Sequence, residues 1–466
     1  MNTGLLGGIV FVLVFAGIIF LHELGHFIAA RLLHIEVEQF VIGFPPRLAR
    51  LWRSRGSILI GKERLVIPVN FDLPFDPKLS LHRPVNVVAA SIRGKLVLRS
   101  IAFAALEDGQ YRPDPVLEPK PLPVPSPLEV AEPNANLPQP GEICITGILN
   151  QVRPGTEFIL NWIPLGGYNK IMGEDDPDAQ GGMAAANPWK RIAVLLAGAT
   201  MNLLTGVLVY TLFFSQIGIP DTHTVVIASI ASLSPAEQAG LQVGDVVQSA
   251  GGLPVTSYTQ LTAITHNYLG LPLPLVILRD GTQLDITVTP RSVYPSNQGP
   301  MGVGIGQPLV PASSWFATLP AAFSATGQDI SSLLALPGRL IAGTLSPQEA
   351  QVGGPRSVYN LFQQAVARDI TSRQAASSGS TSAQPTNYTL LIIISLTVTV
   401  AVANLLPIPA LDGGRIFMTL LEIVFRRRIP TKYQVMINGI GFIILVTLLG
   451  FFYIKDIISP VNFTLP

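Results

Sequence analysis

Cysteine is almost missing from this chain: Cys144 stands alone among 466 residues. One thiol excludes an internal disulfide framework and a cysteine-built zinc site, so any bound metal must draw on histidine and carboxylate. Charge is scarce too. Charged residues make up 13% and hydrophobic residues 48%, a balance that points away from a soluble enzyme and toward a membrane protein. Net charge is +1 and the basic residues form no long stripe, so a nucleic-acid footprint is lacking and no nucleic-acid partner is expected. Forty prolines and 42 glycines exclude a chain made only of membrane helix.

No charged side chain stands between Met1 and Leu21, and no Lys or Arg precedes Arg31. A secretory signal peptide needs a basic start and a small-residue cleavage site. Here the apolar run passes straight into His22 and His26, which favours a retained membrane span. Further runs of spanning length cover about 192–214, 388–406 and 435–453, giving four spans. Phe316–Thr344 is interrupted by Gln328, Asp329, Pro337 and Arg339 and reads as amphipathic or interfacial helix. Basic residues gather after the first span (Arg47, Arg50, Arg53, Arg55, Lys62, Arg64), before the second (Lys190, Arg191), and between the third and fourth (Arg415, Arg426, Arg427, Arg428, Lys432). The positive-inside rule makes these loops cytoplasmic and puts both termini and the 223–290 segment outside.

The expected division is a first span with a histidine motif over 1–34, then a cytoplasmic insertion over 35–160. The insertion holds a Pro-rich linker at 113–140 that cannot bury a core. Its stretches 58–69 and 96–105 look β-like, without an assignable fold. The second, third and fourth spans are expected at 187–216, 387–414 and 433–455, with an amphipathic and linker segment over 312–386 before the third. Residues 375–386 read as a flexible lead into that span. Residues 222–292 alternate β-branched runs with turns and form a small globular domain. Within it, Ser234 to Val247 reads as a helix ended by Gly240 and a Gly-Asp turn into a strand, a string that resembles the PDZ domains of bacterial membrane-associated proteases. Such a domain binds an extended peptide in a groove between strand and helix. A spacer without a ligand is the alternative.

His22-Glu23-Leu24-Gly25-His26 carries the sharpest chemical signal. Residues four apart share a helix face, so both imidazoles reach one zinc ion and Glu23 lies beside them as a base toward water. Three ionisable groups at the end of a membrane helix are costly unless paired or metal-bound. A catalytic zinc usually takes a third protein ligand. The candidate is Asp412, in Asn404-Leu405-Leu406-Pro407-Ile408-Pro409-Ala410-Leu411-Asp412-Gly413-Gly414. Spans one and three run in the same direction, so their C-terminal ends open on the same leaflet and these side chains can meet. The prolines free the backbone there to turn the carboxylate inward.

The two motifs together resemble the site-2 protease family of intramembrane zinc metalloproteases, which pairs HExxH with NxxPxPxLDG. The resemblance implies a multi-pass α-helical membrane protein with a membrane re-entrant β-hairpin and an inserted extracytoplasmic PDZ domain of α+β type. It implies Zn2+ held by His22, His26 and Asp412, with Glu23 as general base. Asn404 would hold the substrate carbonyl or developing oxyanion; hydrogen bonding between helices is its other reading. Pro164 to Glu174, within 161–180, resembles the family's re-entrant β-loop, whose exposed edge clamps an unwound substrate as an added strand. Glu174, Asp175, Asp176 and Asp178 read as a solvated loop. Gly198-Ala199-Thr200-Met201-Asn202 lacks the proline that usually follows this glycine, which leaves Asn202 to packing or a polar network. Val352-Gly353-Gly354-Pro355 also resembles a family segment, with no chemistry attached. The remaining histidines, His34, His82, His223 and His266, stand isolated. Expected partners are single-span membrane substrates, a peptide tail at the PDZ domain and the lipid bilayer, in a cytoplasmic membrane with the zinc near its inner side. A metal transporter and a non-catalytic PDZ scaffold are the rival classes, and replacement of Glu23 separates them from a protease.

Overall fold

The computed structural model describes residues 3–76, 80–107, 110–113, 142–174, 181–295, 298–345, 353–377 and 387–459. It divides into two compact units, residues 1–205 with 332–466, and residues 206–331. Its helices in chain order are α1 (Thr3–Leu32), α2 (Pro188–Ile217), α3 (Pro235–Gln238), α4 (Tyr258–Asn267), α5 (Leu319–Ile341), α6 (Pro355–Ser377), α7 (Tyr388–Leu405), α8 (Asp412–Phe425) and α9 (Thr431–Ile458). Four of these, α1, α2, α7 and α9, are long and apolar enough to cross a membrane, as the hydropathy pattern predicts.

The third of these spans ends at Leu405, within a residue of the expected apolar run 388–406 and short of the Asp412 motif that completes the 387–414 segment, because Leu406 precedes a proline and takes an extended conformation (ψ 145°) instead of a helical one. Ala410 then adopts φ 76°, and a separate helix, α8, starts at Asp412 itself. Residues 312–386 also differ from a linker, since α6 is a 23-residue helix. Its Phe362 and Ala365 are fully buried against Val10, Phe11, Val14 and Phe15 of α1 and Ile392 of α7. Gly7 permits the approach: a Cβ there would stand 2.9 Å from Gln363 Cα. The Gly353-Gly354-Pro355 turn opens α6 against Asp456, whose carboxylate accepts the Ser357 N–H at 2.9 Å. Most of the expected flexible lead, 378–386, lies outside the described residues.

Strands β1 (Val37–Arg53), β2 (Gly56–Ile60), β3 (Glu63–Ile67), β4 (Pro84–Ile92), β5 (Lys95–Glu107), β6 (Gln110–Pro113), β7 (Glu142–Arg153) and β8 (Glu157–Ile171) fill the stretch between α1 and α2. The hairpin expected within 161–180 has a different partner. Residues 157–171 form one strand that pairs with β1, from Val37 opposite Ile171 to Arg53 opposite Glu157. Both strands fold back, so Val41 stands opposite both Tyr168 and Ile159. The bends fall at Gly43 (φ 85°) and Gly166 (φ 113°), in backbone that only glycine adopts freely. A Cβ on Gly43 would also stand 3.2 Å from the Asn161 carbonyl oxygen. Phe44, Leu48, Trp162 and Ile163 are exposed around these bends.

The insertion between β1 and β8 is a folded β-module. Its strands run in the order β3-β2-β7-β4-β5-β6, and a further pairing of β3 with β5 at Val66 and Val97 closes the sheet on itself. Ile58, Ile60, Leu65, Ile67, Val85, Val87, Leu98 and Leu149 fill its interior. The β-like stretches 58–69 and 96–105 are therefore core strands; residues 114–141, nearly all of the expected Pro-rich linker, lie outside the described residues. A polar knot joins the module to the β1–β8 sheet. Arg50 pairs with Asp72, Arg53 pairs with both Asp72 and Glu157, and Gln39 donates to Glu157 at 3.0 Å.

The second unit contains β9 (Ile219–Pro220), β10 (Val225–Ile230), β11 (Val246–Ala250), β12 (Leu253–Pro254), β13 (Leu273–Arg279), β14 (Thr282–Val288), β15 (Val303–Gly306) and β16 (Leu309–Val310). Its sheet runs β14-β13-β11-β10-β15, and β15 extends the domain past the expected boundary at 292. Ala236, Leu241 and Leu261, from α3, the turn after it and α4, pack over Ile227, Val247, Leu275 and Ile277 of the sheet. Ser234 caps α3 through the Glu237 N–H, and Gly240 (φ 81°) ends it, as the local sequence predicts.

Candidate metal centre

α1 presents His22 and His26 one turn apart, both buried. Their Nε2 atoms lie 3.1 Å from each other. Asp412 arrives from the first turn of α8, its Oδ2 lying 3.1 Å from His22 Nε2 and 3.2 Å from His26 Nε2. The sequence thus brings together three side chains almost four hundred positions apart, at the shared end of α1 and α7. They form the one His, Cys, Asp and Glu cluster among the described residues able to hold a metal ion. The geometry fits zinc. Ligand bonds of about 2.05 Å in a tetrahedron put donor atoms about 3.3 Å apart, close to all three observed edges. Asp412 Oδ2 is buried without a hydrogen-bond partner, a position a cation satisfies.

Neighbouring groups fix the donors. His26 Nδ1 bonds the Val194 carbonyl at 2.8 Å, which puts the ring proton on Nδ1 and leaves the Nε2 lone pair facing Asp412. Asn202 of α2 is fully buried with its amide nitrogen 3.5 Å from His22 Nδ1, and its Oδ1 has no hydrogen-bond partner. That amide nitrogen donates to His22 Nδ1 where the ring proton is on Nε2, so Asn202 stands against the imidazole from α2. Gly198 makes this proximity possible: a Cβ there would overlap the His26 ring and come within 2.8 Å of His22 Cε1. Gly25 does the same from α1, where a Cβ would stand 2.9 Å from Met201 Cβ.

Glu23 lies beside the cluster, and a residue of the expected β-loop, with no role of its own legible in the sequence, holds it. Asn169 of β8 donates through Nδ2 to Glu23 Oε2 at 2.9 Å and to the Glu23 carbonyl at 2.5 Å. Among the described residues no strand besides β1 pairs with 167–171, so the other edge of that strand is free beside Glu23. Asn404 is half-buried in the last turn of α7 and makes no hydrogen bond to the cluster among the described residues. Glu174 is not a free loop acid, since it pairs with Arg415 of α8; Asp175, Asp176 and Asp178 lie outside the described residues.

The model of peptidase family M50 matches residues 10–57 and 143–448. This chain belongs to peptidase family M50. The resemblance carried by the HExxH and LDG motifs is thereby borne out, and the family match omits most of the closed β-module. A Clostridium perfringens relative carrying a zinc metalloprotease designation is 31% identical over 307 residues, covering 66% of this chain and 85% of its own. Zinc metalloprotease RasP of Bacillus licheniformis is 23% identical over 446 residues, covering 94% of this chain and 96% of its own. Metalloprotease MmpA of Caulobacter vibrioides is 27% identical over 312 residues, covering 60% of this chain and 77% of its own. Among solved structures, the PDZ domain of the SdrC-like protein from Listeria monocytogenes matches 18% of this M50 chain and 86% of its own, with 18% identity and a TM-score of 0.15. A Geobacillus thermodenitrificans solution structure matches 18% of this chain and 93% of its own, with 22% identity and a TM-score of 0.15.

Proposed function

We propose that this M50 peptidase is an intramembrane zinc endopeptidase that cuts within the membrane segments of single-span proteins, such as an anti-sigma factor or a signal-peptide remnant. The convergence of His22, His26 and Asp412 within 3.2 Å carries the reading. These three side chains would hold the zinc, which supplies a Lewis acid and an open position for water. Glu23 takes a proton from the attacking water on its free carboxylate oxygen and delivers it to the leaving amide nitrogen, while Asn169 keeps that carboxylate aimed. Asn404 donates to the substrate carbonyl oxygen as charge develops on it.

The free edge of 167–171 receives an unwound substrate as an added strand, which brings its backbone to Glu23. The exposed bends of β1 and β8 enter the bilayer, as the re-entrant reading requires; Phe44, Leu48 and Ile163 present only apolar side chains there, and Trp162 and Arg47 have the amphipathic character of residues that reach the interface. The loops rich in Arg and Lys face the cytoplasm, and the 222–306 domain lies outside as a PDZ domain that receives a newly exposed peptide tail or excludes bulky ectodomains.

Purified protein and its Glu23→Gln variant, incubated with a panel of single-span substrates, test the chemistry. Cleavage by the parent alone, with equal zinc in both, is expected. Equal cleavage by the variant refutes Glu23 as the base, and cleavage by neither protein, which a transporter or scaffold predicts, refutes the protease reading. Unchanged cleavage of a full-length substrate after removal of 222–306 refutes the filter.

A further inference from the structure

Between the start of α2 and the end of α8 lies a cavity of about 380 Å³ whose walls include Asn187, Trp189, Glu422, Arg426, Arg427 and Arg428. The three arginines are exposed, and none of them forms an ion pair among the described residues. Arg426 sits in left-handed backbone (φ 52°) at the C-terminal cap of α8, which turns the run away from the helix axis. Glu422 does not cancel their charge. It pairs with buried Arg191, and its Oε1 accepts from the Ile429 N–H at 3.1 Å and Gln434 Nε2 at 2.9 Å. The wall is therefore cationic, with three guanidinium groups unneutralised.

The chain beside it has the opposite character. Trp189 and Ile423 belong to the lining, and Val424 and Phe425, next in sequence, are exposed, as is Tyr433 in the first turn of α9. α2 and α9, both of bilayer length, begin at Pro188 and Thr431, so the mouth lies where an apolar span meets polar surroundings, the level at which Trp and Tyr collect.

We infer that this cavity binds the phosphate-bearing headgroup of an anionic phospholipid, whose acyl chains lie along the exposed apolar faces at the end of α8 and the start of α9. Guanidinium forks match phosphate oxygens in pairs, and basic pockets between membrane helices select anionic headgroups. A free phosphate would satisfy the arginines and leave the neighbouring apolar side chains uncovered, so these favour lipid.

The test uses the full chain in nanodiscs of phosphatidylcholine, alone or with one-fifth phosphatidylglycerol, followed by delipidation and native mass spectrometry of retained lipid. The parent is expected to keep phosphatidylglycerol in preference to phosphatidylcholine by about tenfold or more. Joint replacement Arg426→Gln, Arg427→Gln and Arg428→Gln removes that preference. Removing the same number of charges from the exposed surface of the β-module, through Arg93→Gln, Lys95→Gln and Arg99→Gln, leaves it intact. Inorganic phosphate and glycerol 3-phosphate fail to displace the lipid. A parent without preference overturns the inference whatever the variants do. So does equal loss in both triple variants, which reduces the effect to diffuse charge, or full displacement by the soluble phosphates, which makes the ligand a free anion.

Discussion

Replacing Gly198 by alanine tests the centre more sharply than removing a ligand, because no ligand is touched. The new methyl group would overlap His26 at the nitrogen that faces Asp412 and stand 2.8 Å from His22 Cε1. Little around it can yield. His26 is tied to Val194 on the same helix as Gly198, and α1 lies close on α2 one turn away, where a Cβ on Gly25 would stand 2.9 Å from Met201 Cβ, so moving the helices apart would give up that packing. One imidazole must rotate, and metal sites tolerate only about 0.2 Å of error in ligand distance. Losing supporting geometry of this kind typically lowers metal affinity about 10- to 100-fold, and overpacking adds about 1–3 kcal/mol of destabilisation. Zinc per protein after dialysis against a graded chelator reads the first quantity, and thermal unfolding in detergent reads the second. Gly17→Ala is the control: the same helix-stabilising methyl enters α1 where nothing lies within 4 Å, so zinc and activity should hold while stability rises by up to about 1 kcal/mol. Full zinc content and full cleavage in Gly198→Ala would refute the close packing of α2 on the imidazoles.

Asn169→Ala should lower kcat about tenfold with KM and zinc content unchanged, since the bond it removes aims a base and touches no ligand. Steady-state cleavage with parallel zinc analysis checks it, and a variant that loses its zinc would show Asn169 to be structural instead. A pH series tests the 222–306 domain. Burial pushes the Asp245 carboxyl up, but the Arg279 guanidinium and the Gln242 N–H outweigh it and hold the group below the usual carboxylate range. A carboxylate with a depressed native pKa contributes stability that is complete above the unfolded value of about 3.9 and is lost as pH falls through the native value. Unfolding of the domain, followed by limited proteolysis of the full chain, should therefore steepen below about pH 4. Asp245→Asn should flatten that dependence, and an unchanged curve would count against the pair.

The helical half of the molecule was legible because its signals are local. An uncharged run of spanning length makes α1 visible, and the i, i+4 histidines need one helix face and no distant partner to be recognised. Asp412 was reachable because counting spans fixes which ends meet. The β1–β8 sheet was not reachable in this way: its pairing joins residues about a hundred positions apart, and register between distant strands leaves no mark in either segment. Asn169 was hidden for the same reason, since its role exists only once that register sets it beside Glu23. α6 escaped because its polar composition offers no long apolar run, although a narrow stripe around Phe362 and Ala365 suffices to dock it on α1. The β-module was partly readable as strands, but its closure through Val66 and Val97 is a long-range event.

Arg53 and Glu157, where the chain leaves the β1–β8 sheet for the module and returns from it, stand directly opposite one another in register. Lengthening what is threaded between two positions already held side by side costs little, about 0.6 kcal/mol of chain-closure entropy per doubling, because that entropy grows only with the logarithm of loop length. The seam is thus a thermodynamically quiet socket. The module it carries starts within a few strand spacings of Asn169, the residue that holds Glu23.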